Sequence, residues 1–481
     1  MPSQICRLPA IEISRLIRAK EISTRETVEA HLAQIERLNP ALNAVVTLDA
    51  ERALSRAAAA DEAQARGETL GPLHGLPVAH KDLQPTAGMR TTWGSRIFKD
   101  FIPKEDSLLV ERIGQAGAIA LGKTNTPEFG AGSQTYNEVF GPTLNPWDKT
   151  KTCGGSSGGA AVALACGMVA LADGSDLGGS LRNPASFCGV VGLRPSPGRV
   201  PAWPVPMAWI PLSVEGPMAR AVEDLALFLS AIAGYDPSAP LSFADPAAVF
   251  RQPLERNFKG ARVAWWKDLG GIPVDRRVRE ITNAQRAHFE SLGCIVEEAE
   301  PDFEGADEAF RTLRFWAQGL RVAALAEPHR ALLKDTILWE AEQARRITTT
   351  QLGLANMKHT EIYHRMRRFM ERYEFFVLPV SQLPPFDVTQ HYPLEIEGTK
   401  METYIDWMKS CYYISMTSAP AISVPCGFTS EGLPVGIQIV GRHRDDFGLL
   451  QIAHAFEQAC MIPVGQISDL PSIFPEASGQ R

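Results

Sequence analysis

The sequence has little that would direct the protein to a membrane or a secretory route. Its longest uncharged apolar run, Ala160 to Ala172, has 13 residues, and a transmembrane helix needs about 20. Glu12 and Arg15 interrupt the apolar residues of the N-terminus, so no signal-peptide segment stands there. We therefore expect no membrane association.

Excess positive charge and paired cysteines are absent as well. Lys and Arg number 48 against 55 Asp and Glu, and the formal net charge of −7 predicts no basic surface for nucleic acid. The eight cysteines are scattered without a C-x-x-C pair, which predicts free thiols in a reducing compartment. We expect a cytoplasmic protein with no metal, no cofactor and no nucleic-acid partner.

The 481 residues are enough for a large core, and neither an internal repeat nor a low-complexity linker divides them. Length alone permits one large domain or two to four smaller ones. Helical and strand-like runs alternate from about residue 106, and strand-like runs return near the C-terminus. The late strands would have to join a sheet that begins early. This order predicts one intertwined α/β domain with a helical insert.

Local patterns predict several elements of that domain. Ser23 to Glu26 has the form of a capping box, and the helix that it begins would end at Asn39-Pro40. The stretch from Ser242 to Gly271 has the composition of a loop. Met168 to Ala172 is a predicted strand that runs to Asp173.

Two glycine clusters that contain serine lie at either end of an apolar segment. One contains Ser156 and Ser157 within residues 153–159, and the other contains Ser180 within residues 176–180. Adjacent glycines can leave backbone N–H groups open beside a hydroxyl, and acyl transfer needs such donors at the tetrahedral intermediate. The alternative for either cluster is a tight turn whose serine only caps a helix.

Ser156 and Ser157 also satisfy G-x-S-x-G, the nucleophile elbow of α/β hydrolases. That mechanism needs a later acid and histidine, for which Asp446 and His454 are candidates. Nothing singles out these two residues, and the elbow leaves the second Gly-Gly-Ser cluster unexplained.

Lys81 is a better candidate for the base. A lysine accepts a proton near pH 7 only if burial or nearby positive charge lowers its pKa from about 10.4. Lys81 follows the apolar run Leu76 to Ala79, a predicted strand that would bring it into the interior. A surface ammonium is the ordinary alternative for a single lysine.

Eight motifs, in order and spacing, resemble those of the amidase signature family. The resemblance covers most of the chain and is weakest between about 240 and 370. The motifs are Gly75–Asp82, Gly122–Phe129, Asn145–Trp147, Gly154–Gly159, Gly178–Ala185, Cys188–Pro195, Gly216–Arg220 and Gly432–Gln438.

The resemblance implies a Ser-cisSer-Lys amide hydrolase, closest in appearance to soluble bacterial amidases. Ser180 would be the nucleophile, Ser156 the bridging serine after a cis peptide, and Lys81 the base. Ser157 would support the relay, and Asp176 with Arg182 would form an ion pair that shapes the nucleophile loop. The oxyanion hole would consist of the N–H groups of Leu177, Gly178, Gly179 and Ser180.

The resemblance also implies a fold: a single large amidase-signature domain with a central mixed, twisted sheet and helices on both faces. Within it we expect an N-terminal helical layer at 1–70 and a core with the catalytic residues at 71–235. A largely helical insert or cap would occupy 236–370, and strands with a final helix at 371–481 would complete the core.

One position departs from the family pattern beside the catalytic lysine. His80 stands where an aliphatic residue is usual, and strand alternation would point it away from the side of Lys81.

The substrate is less well defined than the bond that is cleaved. Apolar residues near the expected pocket favour a small aliphatic or aryl amide over glutamine, although they would equally suit core packing; they are Tyr136, Trp203, Met207 and Trp209. The rival function is the glutaminase subunit of a tRNA-dependent amidotransferase, which delivers ammonia to a partner. A third hypothesis is an inactive homologue that only binds its ligand. A homodimer is possible as the oligomeric state.

Overall fold

Eleven of the strand segments form one mixed sheet through the middle of the protein. The computed structural model describes residues 2–460 and 462. The order across the sheet is β1-β3-β2-β4-β6-β5-β12-β13-β9-β7-β8, and β10 pairs only with β11. The strands are β1 Val45–Leu48, β2 Pro77–Lys81, β3 Ile119–Thr124, β4 Leu171–Asp176, β5 Val191–Arg194, β6 Val214–Ala219, β7 Arg262–Trp265, β8 Ile295–Glu298, β9 Phe375–Pro379, β10 Glu395–Ile396, β11 Thr399–Lys400, β12 Ala421–Phe428 and β13 Pro434–Val440.

Helices connect these strands and flank the sheet, and a single π-helical turn at Phe315–Gly319 joins α11 to α12. The helices are α1 Pro2–Ile5, α2 Ala10–Arg18, α3 Thr24–Leu42, α4 Ala50–Ala65, α5 Leu108–Gln115, α6 Gly158–Ala165, α7 Arg182–Cys188, α8 Val222–Ile232, α9 Arg276–Ala284, α10 Arg286–Ser291, α11 Ala306–Arg314, α12 Leu320–His329, α13 Asp335–Arg346, α14 Thr349–Arg372, α15 Lys409–Ser415 and α16 Asp446–Cys460.

The sheet joins the two ends of the sequence, as expected of a single intertwined domain. The late strand β12 pairs antiparallel with the early strand β5, with Ala421 opposite Arg194. Strand β2 lies between β3 and β4 and is parallel to both. Lys81, at the end of β2, pairs with Thr124 of β3, whereas the pairing with β4 ends at Ala79.

Alternation along the strands places side chains in two separate cores. Val78 and Leu171 belong to the core that contains α8 and α16 residues, whereas Ala79 and Ala172 belong to the core that contains α6. A period of two residues puts Lys81 on the α6 side with Ala79. The predicted α/β architecture, with a mixed sheet and helices on both faces, is confirmed.

Two local predictions were wrong, and the short strand β1 was not predicted. Helix α3 passes through Pro40 and ends at Leu42, because Asn43 in the left-handed conformation closes it by donating its N–H to the Asn39 carbonyl. The segment before α4 contains the short strand β1. The loop-like stretch 242–271 contains β7, whose partners β8 and β9 are supplied by distant segments.

The segment 236–370 therefore contributes to the sheet as well as to the helical layer, because both β7 and β8 fall within it. All eight cysteines are free thiols, as the sequence predicted. Within the described residues, no helix combines the length and apolar character needed to cross a bilayer.

The capping box at the start of α3 gives a stability prediction. The Ser23 hydroxyl accepts the Glu26 N–H at 3.0 Å, and the Glu26 carboxylate accepts the Ser23 N–H at 2.8 Å. Ser23→Ala removes the cap and should lower the free energy of unfolding by about 1 kcal/mol, measured by urea denaturation. Ser55→Ala, at an exposed interior position of α4, is the control and should not destabilise the protein; equal losses in both variants would contradict the capping role.

Candidate active site

The amine of Lys81 lies fully buried among three serine hydroxyls. Its Nζ donates to Ser156 Oγ at 2.7 Å, to Ser157 Oγ at 2.9 Å and to Ser175 Oγ at 3.1 Å. No carboxylate of the described chain is hydrogen-bonded to Nζ. A hydroxyl can donate as well as accept, so this set of partners accommodates a neutral amine.

Burial lowers the pKa of Lys81 below the ordinary lysine value, because an ammonium loses its hydration there. Glu215 opposes this effect most strongly, followed by Asp176 and Asp173. The amine therefore loses its proton more readily than a surface lysine does, which is the property that a general base needs.

Side chains from neighbouring loops hold the first glycine cluster. The peptide between Gly155 and Ser156 is cis. Ser133 Oγ donates to the Gly155 carbonyl at 2.6 Å, and Thr135 Oγ1 donates to the Gly154 carbonyl at 2.8 Å. The backbone that carries Ser156 is thus fixed by hydroxyls from the segment after β3.

Asp176, at the end of β4, shapes the second cluster. Its carboxylate accepts the N–H groups of Gly179 and Leu181 at 2.9 and 3.1 Å and is paired with Arg182 at 2.8 Å. Burial alone would raise the pKa of Asp176, but Arg182 and Arg194 hold it well below its usual range. The predicted Asp176–Arg182 ion pair is present and fully buried.

The loop that carries the second glycine cluster contributes Leu177 and Ser180 to the wall of a cavity. Gly179 has a φ of +117°, and a Cβ there would lie 2.7 Å from Cys411 Cβ, so the turn requires glycine. Four backbone N–H groups were predicted as oxyanion donors. The N–H of Gly179 donates to Asp176 and is therefore not available to a ligand. The N–H groups of Leu177, Gly178 and Ser180 have no acceptor among the described residues.

His80 lies on the opposite side of β2 from Lys81, as strand alternation predicted. Its Nδ1 is 2.6 Å from Asp173 Oδ2, and the Lys81 backbone N–H donates to Asp173 Oδ1 at 2.9 Å. Asp173 therefore joins the histidine to the backbone of the lysine, and in the described part of the chain the His80 ring is not hydrogen-bonded to the serines.

Ser180 and Ser156 open into a cavity of about 510 Å³, which we name the serine cavity. A second, mainly apolar cavity of about 160 Å³ adjoins it, and the two share Leu177, Val205, Glu215 and Gln318 in their walls. Among described side chains, Ser180 Oγ has no hydrogen-bond partner, so the hydroxyl is open to a ligand.

The predicted substrate residues are only partly brought to these cavities. Trp203 lines the serine cavity and Met207 lines the apolar cavity. Trp209 is 76% exposed and lines neither. Tyr136 also lines neither; it stacks on His391 at 5.1 Å, with the Lys334 amine over its ring. The structure thus places two of the four predicted residues outside the site.

Comparison with known proteins agrees with this geometry. The Amidase family model matches residues 26–450. The chain belongs to the amidase signature family. An acylamidase of Rhodococcus erythropolis is 36% identical over 459 residues, which cover 94% of this chain and 95% of that protein.

Two further relatives represent different functions within the family. A glutamyl-tRNA(Gln) amidotransferase subunit of Moorella thermoacetica is 38% identical over 476 residues, covering 94% of this chain and 96% of that protein. The crystal structure of a bacterial aryl acylamidase of the amidase signature family has a TM-score of 0.91 at 30% identity, covering 98% and 99% of the two chains. The resemblance found from the motifs is therefore confirmed.

The nucleophile-elbow alternative does not fit this amidase signature site. The Asp446 carboxylate accepts from the Ser196 N–H at 2.8 Å and from Arg199 Nε at 3.0 Å. His454 Nδ1 has no hydrogen-bond partner in the described part of the chain. Neither residue lines the serine cavity.

Sequence reasoning missed three polar residues of the site. Ser175, on β4 just before the second glycine cluster, accepts a hydrogen bond from Lys81. Gln84 and Glu215 lie in the wall of the serine cavity and are hydrogen-bonded to each other at 2.7 Å. The strand pairing of β4 with β6, which brings Glu215 opposite Ser175, was the missing information.

The buried carboxylate under the nucleophile loop generates a stability prediction. Asp176→Asn leaves Arg182 and Arg194 buried without a counter-charge and should lower the free energy of unfolding by about 3–5 kcal/mol. Chemical denaturation monitored by circular dichroism measures the change. The control is Glu29→Gln, which breaks an exposed ion pair with Arg25 and should have a much smaller effect; similar losses for the two variants would show that the Asp176 network does not carry this stability.

Proposed function

We propose that this chain hydrolyses a carboxylic amide through a covalent acyl-serine intermediate and releases ammonia or an amine. Ser180 is the nucleophile, Ser156 passes the proton and Lys81 is the base. The observation that carries the proposal is the 2.7 Å contact between the buried Lys81 amine and Ser156 Oγ, beside the open hydroxyl of Ser180.

In the first half-reaction, Ser180 Oγ attacks the amide carbon. Its proton goes to Ser156, and the Ser156 proton goes to the neutral amine of Lys81. Collapse of the tetrahedral intermediate breaks the C–N bond, and the same relay in reverse gives one proton to the departing nitrogen. The products are a free amine or ammonia and an ester on Ser180.

In the second half-reaction, a water molecule attacks the ester. The relay takes one proton from the water and returns one to Ser180 Oγ when the C–O bond breaks, so the carboxylic acid leaves and the enzyme is regenerated. The open N–H groups of Leu177, Gly178 and Ser180 support the negative oxygen in both steps. Ser157 and Ser175 hold the Lys81 amine in place.

An aliphatic or aryl amide is the proposed substrate class. Trp93, Phe129 and Trp203 contribute apolar surface to the serine cavity. The acylamidase and aryl acylamidase relatives are consistent with such a substrate.

The second candidate function is the ammonia-supplying subunit of a tRNA-dependent amidotransferase. The observation that favours it is the 38% identity to the amidotransferase subunit of Moorella thermoacetica. Under this alternative the isolated chain would prefer glutamine and would need a partner for full activity.

A panel of amides tests the proposed function. The purified chain alone should release amine or ammonia from aliphatic or aryl amides faster than from glutamine. Ser180→Ala should lower kcat/KM at least about 1,000-fold, because the nucleophile is lost. The exposed Ser55→Ala should retain full activity; a Ser180→Ala enzyme that remains active would refute the assignment of the nucleophile, and turnover of glutamine alone would favour the second function.

The buried amine of Lys81 predicts the pH dependence. Only the neutral amine accepts a proton, so kcat/KM should rise with pH through the lowered pKa of Lys81 and level off well below about 10.4, the ordinary lysine value. The measurement is a kcat/KM profile from about pH 5 to about pH 10. Lys81→Met should lose activity at every pH, whereas Lys20→Met, on the surface, should leave the profile unchanged. A rate that rises only near pH 10 would contradict the lowered pKa.

A further inference from the structure

A single carboxylate stands at the junction of the two cavities. Glu215 lies on β6 opposite Ser175 of β4, and its side chain lines both the serine cavity and the apolar cavity. The reaction steps proposed above assign no role to this carboxylate.

Hydrogen bonds orient one side of the Glu215 carboxylate and leave the other open. Gln84 Nε2 donates to Glu215 Oε2 at 2.7 Å, and Ser107, which caps α5, donates from Oγ to Gln84 Oε1 at 3.0 Å. Glu215 Oε1 has no hydrogen-bond partner among the described residues. Glu215 is half-buried and lines both cavities, so this oxygen is available to accept from a ligand donor.

The walls of the cavities supply no cation. Of the described residues that line the two cavities, only Glu215 has a charged side chain. Lys81 lies beneath the serines, where its amine is already surrounded by hydroxyls. Burial raises the pKa of the Glu215 carboxyl, and a cation beside Glu215 would favour the ionised form, whereas a carboxylate there would oppose it.

The residues around Glu215 also indicate which substrate atoms would lie beside a positively charged ligand group. Val200, Met207, Ile210 and Leu212 form the side of the apolar cavity beyond Glu215. A substrate that fills both cavities presents apolar atoms to this wall and a donor to Glu215 Oε1.

We propose that Glu215 is a specificity-determining residue that binds an ammonium group of the amide substrate, with the apolar part of the substrate in the adjoining cavity. This inference rests on the proposed amide hydrolysis at Ser180. It places the substrate among cationic amino-amides and sets it apart from glutamine, whose α-carboxylate would have no positive partner in these walls.

The charge balance of the site is consistent with this role. Glu215 is the charged group with the strongest influence on Lys81, ahead of Asp176 and Asp173. A cation bound at Glu215 offsets that influence and thereby favours the neutral amine that accepts the proton from Ser156.

The test compares ammonium-bearing amides with neutral isosteres. One series has the charge on the acyl side, as ω-aminoalkanamides of four to eight carbons, and a second has it on the amine side, as N-(ω-aminoalkyl)acetamides. In each isostere a methyl group replaces the ammonium. At the best chain length, wild-type kcat/KM should be at least about 10-fold higher for the ammonium compound.

The variant Glu215→Gln keeps the size and an acceptor oxygen but removes the charge. It should abolish the preference for the ammonium compound, whereas Glu29→Gln, an exposed control, should leave the ratio unchanged. A purely structural role of Glu215 would change both substrates alike and preserve their ratio. Preference for the neutral isostere at every length in both series, or a preference that survives in Glu215→Gln, would overturn the proposal.

A binding measurement separates failure of this inference from failure of the proposed function. Calorimetric titration of the Ser180→Ala protein with the ammonium amides and their isosteres does not require turnover. Tighter binding of the ammonium compound at one length, lost on adding Glu215→Gln, supports the role of Glu215 even if hydrolysis fails. Equal binding of both compounds at every length rejects that role, even if Ser180-dependent hydrolysis of neutral amides is observed.

Discussion

The buried carboxylate of Asp176 is the constraint on which the site depends. It accepts two N–H groups of the nucleophile loop and holds Arg182 at the start of α7. Arg182 in turn donates to the Cys411 carbonyl in α15 and to Gln438 in β13, and so links the loop to the late strands. Removing one partner would leave an unpaired charge in the interior. The position of Ser180 and the packing of the C-terminal elements are therefore coupled.

Buried ionisable groups occur in two different environments in this site. Around Asp176, one carboxylate is the counter-charge of both Arg182 and Arg194, which keep it ionised. Around Lys81, hydroxyls take the place of carboxylates, and burial then favours the neutral amine. The first arrangement holds a charged group in place and the second favours an uncharged amine, although both lie at the ends of neighbouring strands.

Motifs and strand alternation predicted the placement of several side chains of the candidate site. The apolar run before Lys81 indicated its burial, and a period of two residues separated it from His80. What could not be predicted depends on contacts across the sheet or on the direction of one N–H group. Glu215 meets Ser175 only through the pairing of β6 with β4. The N–H of Gly179 is taken by Asp176, and Trp209 stands exposed although its neighbours line the cavities.

Under the proposed function, the cavity walls are the part of the site that would determine the choice of substrate. Relatives of the acylamidase and amidotransferase kinds match this chain almost equally well and over nearly its whole length, so overall similarity does not discriminate between their substrates. The electrostatics of the walls do discriminate. Glu215 is held in place by Gln84 and faces an apolar side, and the described lining offers no positive group to an anionic amide. The role proposed for Glu215 follows from these walls: a substrate that fits them would carry a positive charge at one end and apolar surface beside it.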